Sequence, residues 1–254
     1  MRIIISPAKK MRTDTDSLPW RDLPVLLPRT QQLLDRLRGM TYAQLKALWN
    51  CNDKIAAQNV ERLTHMDLRE NLTPALLAYD GIQYQYMAPG VFSDGEYDYV
   101  QEHLRILSGF YGILRPFDGV TPYRLEMQAK LQMGESGNLY AFWGDTIARE
   151  LTESTEYVVN LASKEYSQAV TPYLPDGVRL INCVFGEEKG GKVIEKGTQC
   201  KMARGEMVRW MAENRITNPE DLKGFDRLQY QYAPENSAYN VLVFLKKEET
   251  GTGL

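Results

Sequence analysis

Apolar and polar positions divide the chain into short segments, several with legible starts and stops. Ile3, Ile4 and Ile5 in succession, closed by Pro7, predict a buried strand over 2–6. Residues 9–24 are polar and irregular, punctuated by Pro19 and Pro24. Leucines at 33, 34 and 37 predict an amphipathic helix over 30–38 that stops near Gly39. Thr41 and Gln44 have capping-box spacing and open a helix to about Trp49, and Asn52 or Asp53 can cap another to about Thr64. Thr73-Pro74 predicts a short helix with proline at its first position, stopped by Gly81. A second capping box, Ser93 with Glu96, opens a helix through Tyr99, Val100, His103, Leu104 and Leu107.

The second half holds the strands. β-Branched and apolar residues predict them over 157–161, 179–185, 192–196 and 240–245, the third following the Gly190-Gly191 turn. Helices are expected over 145–151 and over 201–214, the latter with Met202, Val208, Met211 and Ala212 inward. Thr217 and Glu220 make a third capping box with Pro219 at the first helical position, and 248–254 reads as a frayed tail. Strands at both ends with helices between them fit an α+β fold, a mixed sheet with surrounding helices, better than regular βαβ alternation. No internal repeat or long linker divides the 254 residues, so one domain over 1–254 is expected.

Composition narrows the function. Hydrophobic residues make up 43% and charged residues 25%, ordinary globular usage that excludes wholesale disorder. No apolar run is long enough to span a bilayer, and the N-terminus lacks the pattern of a secretory signal, so a cytoplasmic location is expected. The three cysteines, Cys51, Cys183 and Cys200, are widely spaced and suit neither a disulfide framework nor a CxxC site. With His65 and His103 the only histidines, a histidine-rich zinc site is excluded, and neither a metal nor a cofactor is expected. An iron site would have to use Asp94, Glu96 and Asp98, which read better as a helix N-terminus complementing its dipole. Net charge is -3, yet residues 1–38 carry eight basic side chains against four acidic ones. A local basic surface can therefore meet a polyanion on an acidic body.

The familiar nucleotide-binding, hydrolase and zincin signatures are absent. What remains is a set of smaller pointers. Ser6-Pro7-Ala8-Lys9 follows the first strand, where Lys9 is either a phosphate ligand, an amine nucleophile or a plain turn lysine. Around Ser108, Gly109 and Gly112 two glycines three apart permit a tight turn before Arg115. That turn could offer backbone N–H groups to a DNA phosphate, or be a helix C-cap packed by Phe110 and Tyr111. Tyr123 and Arg124 could stack on a base and hold phosphate, or form only a surface pair with Glu126. Phe142 and Trp143 read as core, with Asp145 a helix cap or a site carboxylate. Asn160 needs partners if buried, and Ser163 can cap a following helix. Lys201 and Arg204 share a face near a helix N-terminus, where cations oppose the dipole unless an anion is bound.

Together the segments SPAK (6–9), LSGFYGILRPFD (107–118), PYRLEM (122–127), YAFWGD (140–145), NLASKEY (160–166) and KMARG (201–205) resemble, in order and across nearly the whole chain, the YaaA family of bacterial peroxide-stress proteins. The resemblance implies a cytosolic protein that limits iron and peroxide damage to DNA. It also implies an α+β fold with a basic cleft, a helix-hairpin-helix-like element and affinity for double-stranded DNA; bulged or damaged duplexes are expected to bind better because their unstacking costs less. Carried over, the DNA-binding positions are Lys9, Ser108, Gly109, Gly112, Arg115, Tyr123, Arg124, Lys201 and Arg204. The alternative is a glycosylase- or lyase-like enzyme working on a nucleobase in the same cleft, with Lys9, Asp118, Asp145 and Asn160 as candidate catalytic residues. No protein partner is implied.

Overall fold

A computed structural model of the chain describes residues 1–247; the tail expected over 248–254 lies outside the described residues. The isoleucine run is strand β1 (Arg2–Ile5), with all three isoleucines fully buried at the centre of an eight-stranded sheet. Burying each contributes about 2 kcal/mol, which fixes this strand as the organising element. The others are β2 (Leu104–Ser108), β3 (Gly112–Leu114), β4 (Tyr157–Leu161), β5 (Arg179–Lys189), β6 (Lys192–Ile194), β7 (Tyr230–Tyr232) and β8 (Val241–Lys246). Their order is β7-β8-β5-β4-β1-β2-β3, with β6 folded back on β5. The five inner strands are parallel and the outer β3 and β7 antiparallel, so the sheet is mixed and the single domain is α+β.

The helices are α1 (Leu27–Arg38), α2 (Tyr42–Trp49), α3 (Asp53–His65), α4 (Ile82–Met87), α5 (Asp94–His103), α6 (Thr146–Thr152) and α7 (Gly197–Glu213), with shorter turns between them. Thr41 caps α2 with the expected reciprocal box to Gln44, and Asn52 caps α3. Helix α7 packs along α4 across Gly205, whose missing side chain leaves room for the Gln83 carbonyl. Leu242 and Phe244 of β8 and Phe185 of β5 continue the core to the far side of the sheet.

Several expectations need correction. The helix opened by Ser93 ends at His103, and Leu104–Ser108 is a strand hydrogen-bonded to β1 on one side and β3 on the other. Leu104 and Leu107 have helical spacing, but the pairing sites offered by the central sheet outweigh local propensity. The element around Ser108 is thus a strand–turn–strand, not helix-hairpin-helix-like. Thr73–Pro74 pairs as a short strand with Gly119–Val120, and its helix is only Ala75–Ala78. The box expected at Thr217 is instead a 3₁₀ turn, Pro219–Gly224, capped by Asn218.

Candidate functional site

Where β1 and β4 end, the chain leaves in opposite directions. The connection from β1 leads to β2 on one side, and that from β4 leads to β5 on the other. Such a switch point opens a crevice at the carboxyl ends of parallel strands, where ligands bind in open sheets. Two serines mark it here. The Ser163 N–H donates to Ser6 Oγ at 2.8 Å, and the Tyr84 hydroxyl donates to the Ser6 carbonyl at 3.0 Å. Above them lies a cavity of about 390 Å³, within the range typical of small-molecule sites.

Its wall is assembled from five stretches of chain. The loop after β1 brings Lys9 and Lys10, the start of α4 brings Gln83 and Tyr84, and the loop after β4 brings Ser163, Glu165 and Tyr166. Residues 123–126 supply Tyr123, Arg124 and Glu126, and α7 supplies Lys201 and Arg204. The lining carries five cations against three carboxylates, Asp80, Glu126 and Glu165, in a chain of net charge -3.

A glycine holds one of these walls in place. A Cβ on Gly109 would lie 2.6 Å from the Leu125 carbonyl and 2.9 Å from Glu126 backbone, so the β2–β3 turn can support the 123–126 stretch only without a side chain there. The turn is fixed from below. Ser108 Oγ accepts from the N–H groups of Phe110 and Tyr111 at 3.1 and 2.9 Å and pairs with the Tyr123 hydroxyl at 2.6 Å. Tyr123 also pairs with Tyr79 at 2.8 Å, and burial raises its phenol to about 12, so it stays neutral and hydrogen-bonded.

The charged groups are incompletely matched. Lys9, 67% exposed, meets Glu126 at 3.0 Å, and Arg124 reaches the other oxygen of the same carboxylate at 3.6 Å. Lys10 pairs with Asp80, and Arg204 lies 3.7 Å from Glu195. Lys201 makes no ion pair among the described residues. The side chains of Arg124 and Arg204 are only 12% and 17% exposed, and the buried Nε of each has no hydrogen-bond partner. An unmatched buried donor costs about 1–3 kcal/mol. Glu165 accepts from the Gln128 N–H at 3.3 Å, yet its carboxyl is raised above the ordinary range, chiefly by burial and also by Glu126.

Of the positions singled out in the sequence, Lys9, Tyr123, Arg124, Lys201 and Arg204 line this one cavity. Ser108, Gly109 and Gly112 are buried beneath it, and their backbone faces protein rather than solvent. Arg115 lies elsewhere, bonded through its backbone N–H and its Nε to Asp118 at 2.8 and 2.9 Å, with Asp22 at 3.5 Å. Asp118 is buried, and desolvation raises it to about 6 against the pull of Arg115. Asp145 is 54% exposed, makes no side-chain cap and pairs with Arg149 at 3.2 Å. Asn160 accepts from the Ala162 N–H and donates to Asn182, a structural role inside the sheet. Lys9 is therefore the one candidate catalytic residue at the cavity. Glu126 was weighed only as a surface partner of Arg124, with which it does pair at 3.6 Å; Glu165, Gln83 and Tyr84 were not singled out, and Glu165, two residues beyond Ser163 on the short helical turn after a strand, was the most accessible of them to sequence reasoning.

Among the described residues no group of three or more His, Cys, Asp or Glu could hold a metal, and no helix is long and apolar enough to cross a membrane.

The comparisons with known proteins agree with this chain-wide pattern. The family described as "Peroxide stress protein YaaA" matches residues 1–236. This chain belongs to that family. Curated relatives, each named "UPF0246 protein", extend the match to almost full length. One from Lachnoclostridium phytofermentans is 54% identical over 98% of this chain and 97% of its own. One from Pediococcus pentosaceus is 53% identical over 98% and 99%. The cavity at β1 and β4 is the candidate site of this chain.

Proposed function

We propose that this protein serves the peroxide stress response by binding DNA, with backbone phosphate held by Lys9, Arg124, Lys201 and Arg204. The observation that carries the reading is the pair of nearly buried guanidiniums with unpartnered Nε–H groups at a cavity on the sheet's switch point. Guanidinium forks suit phosphate oxygens, and Lys201 adds a charge that makes no ion pair among the described residues. Contacts of this kind give affinity without sequence preference, because no base-reading helix accompanies them.

The test is duplex binding by fluorescence anisotropy across a salt series. Four phosphate contacts predict a loss of roughly 100-fold between 50 and 200 mM salt, and Arg204→Ala should reduce the salt slope by about one contact. Binding that ignores salt, or that survives removal of both arginines, overturns the reading.

One observation favours a second reading, an enzyme directed at a nucleobase. Glu165 is a carboxyl raised by burial in the same cavity as Tyr166 and Lys9, a setting suited to a general acid. Lys9 is exposed and faces a carboxylate at 3.0 Å, which suits a charge better than an amine nucleophile. Loss of a damaged base from DNA, abolished by Glu165→Gln, would establish this reading; unchanged DNA across a lesion panel would remove it.

A further inference from the structure

We propose that the cavity is one of two chambers of a single site, which takes two consecutive nucleotide units of an unpaired strand, their linking phosphate seated where Glu126 now sits. The inference rests on the DNA reading and specifies the form of nucleic acid that the site accepts.

A second cavity, of about 480 Å³, adjoins the first and shares three of its residues, Lys9, Arg124 and Glu126. The partition between the chambers is therefore the ion cluster itself. Glu126 spans it, one carboxylate oxygen 3.0 Å from Lys9 Nζ and the other 3.6 Å from Arg124. That is a carboxylate occupying an anion seat between two cations, and a phosphodiester has the same charge and acceptor geometry. A second tie crosses the partition, from the Gln128 N–H in the far chamber to Glu165 in the near one.

The far chamber has its own unmet donor. Trp49 is almost wholly buried, lines this cavity, and its indole N–H has no partner. A buried tryptophan N–H ordinarily finds an acceptor. Asn50, in a left-handed conformation that ends α2, and the exposed Lys130 complete the wall. The near chamber is lined by two arginines and by Tyr84, Tyr123 and Tyr166, each over nine-tenths buried, and the far one by the buried Trp49 and an exposed lysine, with one anion seat between them. This repeats the order base, phosphate, base. A duplex can offer the anion seat only its backbone phosphate, whereas an unpaired strand or a free dinucleotide can also present both bases to the chambers.

The experiment titrates the whole protein with thymidine 5′-monophosphate, with the 5′-phosphorylated dinucleotide pTpT, and with a 12-residue duplex. The expected result is pTpT binding at least about tenfold tighter than the mononucleotide, as a second linked contact provides. Lys130→Ala, an exposed change, should remove most of that gain, and Glu126→Gln should tighten pTpT several-fold by removing the charge that competes for the two cations. Equal affinity for one and two units, or a gain untouched by Lys130→Ala, overturns the two-chamber site. If the duplex binds while pTpT gains nothing, this inference fails and the DNA reading stands. If pTpT gains as expected while the duplex does not bind, the site stands as one for free dinucleotides and the DNA reading fails. If none of the three binds, both fall.

Discussion

Gly205→Ala is expected to destabilise the protein by about 2 kcal/mol and to weaken ligand binding, although it places a better helix former inside a long helix. A Cβ at this position would lie 2.1 Å from the Gln83 carbonyl oxygen and 3.0 Å from both the Gln83 carbonyl carbon and the Met87 nitrogen. All three atoms are backbone and cannot rotate aside. Restoring van der Waals distance moves α7 from α4 by roughly 1 Å, which forfeits a quarter to a half of the dispersion attraction across the contact. Overpacking of this kind costs about 1–3 kcal/mol or more, while the helix-propensity gain from glycine to alanine is only about 1 kcal/mol. The steric term wins, and the melting temperature should fall by roughly 4–8 °C for a chain of this size. Gly197, at the start of the same helix, has nothing within 4 Å of its would-be Cβ, so Gly197→Ala is the matched control and should be neutral or stabilising. Calorimetric melting of the three proteins reads the effect directly, and anion titration should show the loss at Lys201 and Arg204, which sit on the same stretch of α7. A Gly205→Ala protein that melts at or above the parent temperature refutes the packing argument.

Three further outcomes are expected. Asp118 titrates near 6 in the folded chain against an ordinary 3.8, so the native state holds the extra proton between those values. Stability should fall by up to roughly 3 kcal/mol as pH rises from 4 to 7, and urea midpoints across that range should lose this slope in Asp118→Asn. Tyr123→Phe removes the hydroxyl shared by Tyr79 and Ser108 and should cost about 1–3 kcal/mol in urea unfolding; an unchanged midpoint would show that the three-hydroxyl cluster is not structural. Burial pushes the Cys183 thiol up to about 12 and raises Cys200 as well, whereas Cys51 is partly exposed. Brief alkylation of the native protein, followed by mass spectrometry, should therefore modify Cys51 first, and early labelling of Cys183 would contradict the burial.

What the sequence made legible was the part decided locally. The isoleucine run, the β-branched stretch at 157–161 and the capping pair Thr41–Gln44 each carry their own start, stop or burial signal. The segment 104–114 does not. Its leucines are spaced for a helix, and only the vacant edge of β1 turns them into a strand. That single change relocates Ser108, Gly109 and Gly112 from a phosphate-facing hairpin to a buried support, where Gly109 serves the Leu125 carbonyl instead of a ligand. Arg115 was misplaced for a different reason: Asp118, three residues away, was weighed as a separate catalytic candidate rather than as its partner. The convergence of Lys9, Arg124, Lys201 and Arg204 depends on strand order, which no local signal encodes.

The difference between Arg115 and the cavity cations also explains which basic side chains are available to an anion. Arg115 is tied to a buried carboxylate by two hydrogen bonds, and breaking such a pair strands a charge without water at a cost of about 3–5 kcal/mol. Lys9 and Lys10 are themselves exposed and pair with partly buried carboxylates, and an ion pair with one exposed partner is largely screened by solvent. Arg124 and Arg204 reach theirs only at 3.6 and 3.7 Å, and each leaves its Nε donor unmatched. On the proposed reading, an incoming phosphate would displace weak partners at the cavity and gain nothing at Arg115. Proximity to carboxylates does not silence these cations. Arg124 and Arg204 stay nearly buried in an acidic protein through contacts at 3.6 and 3.7 Å, which the proposed reading expects a stronger acceptor to replace.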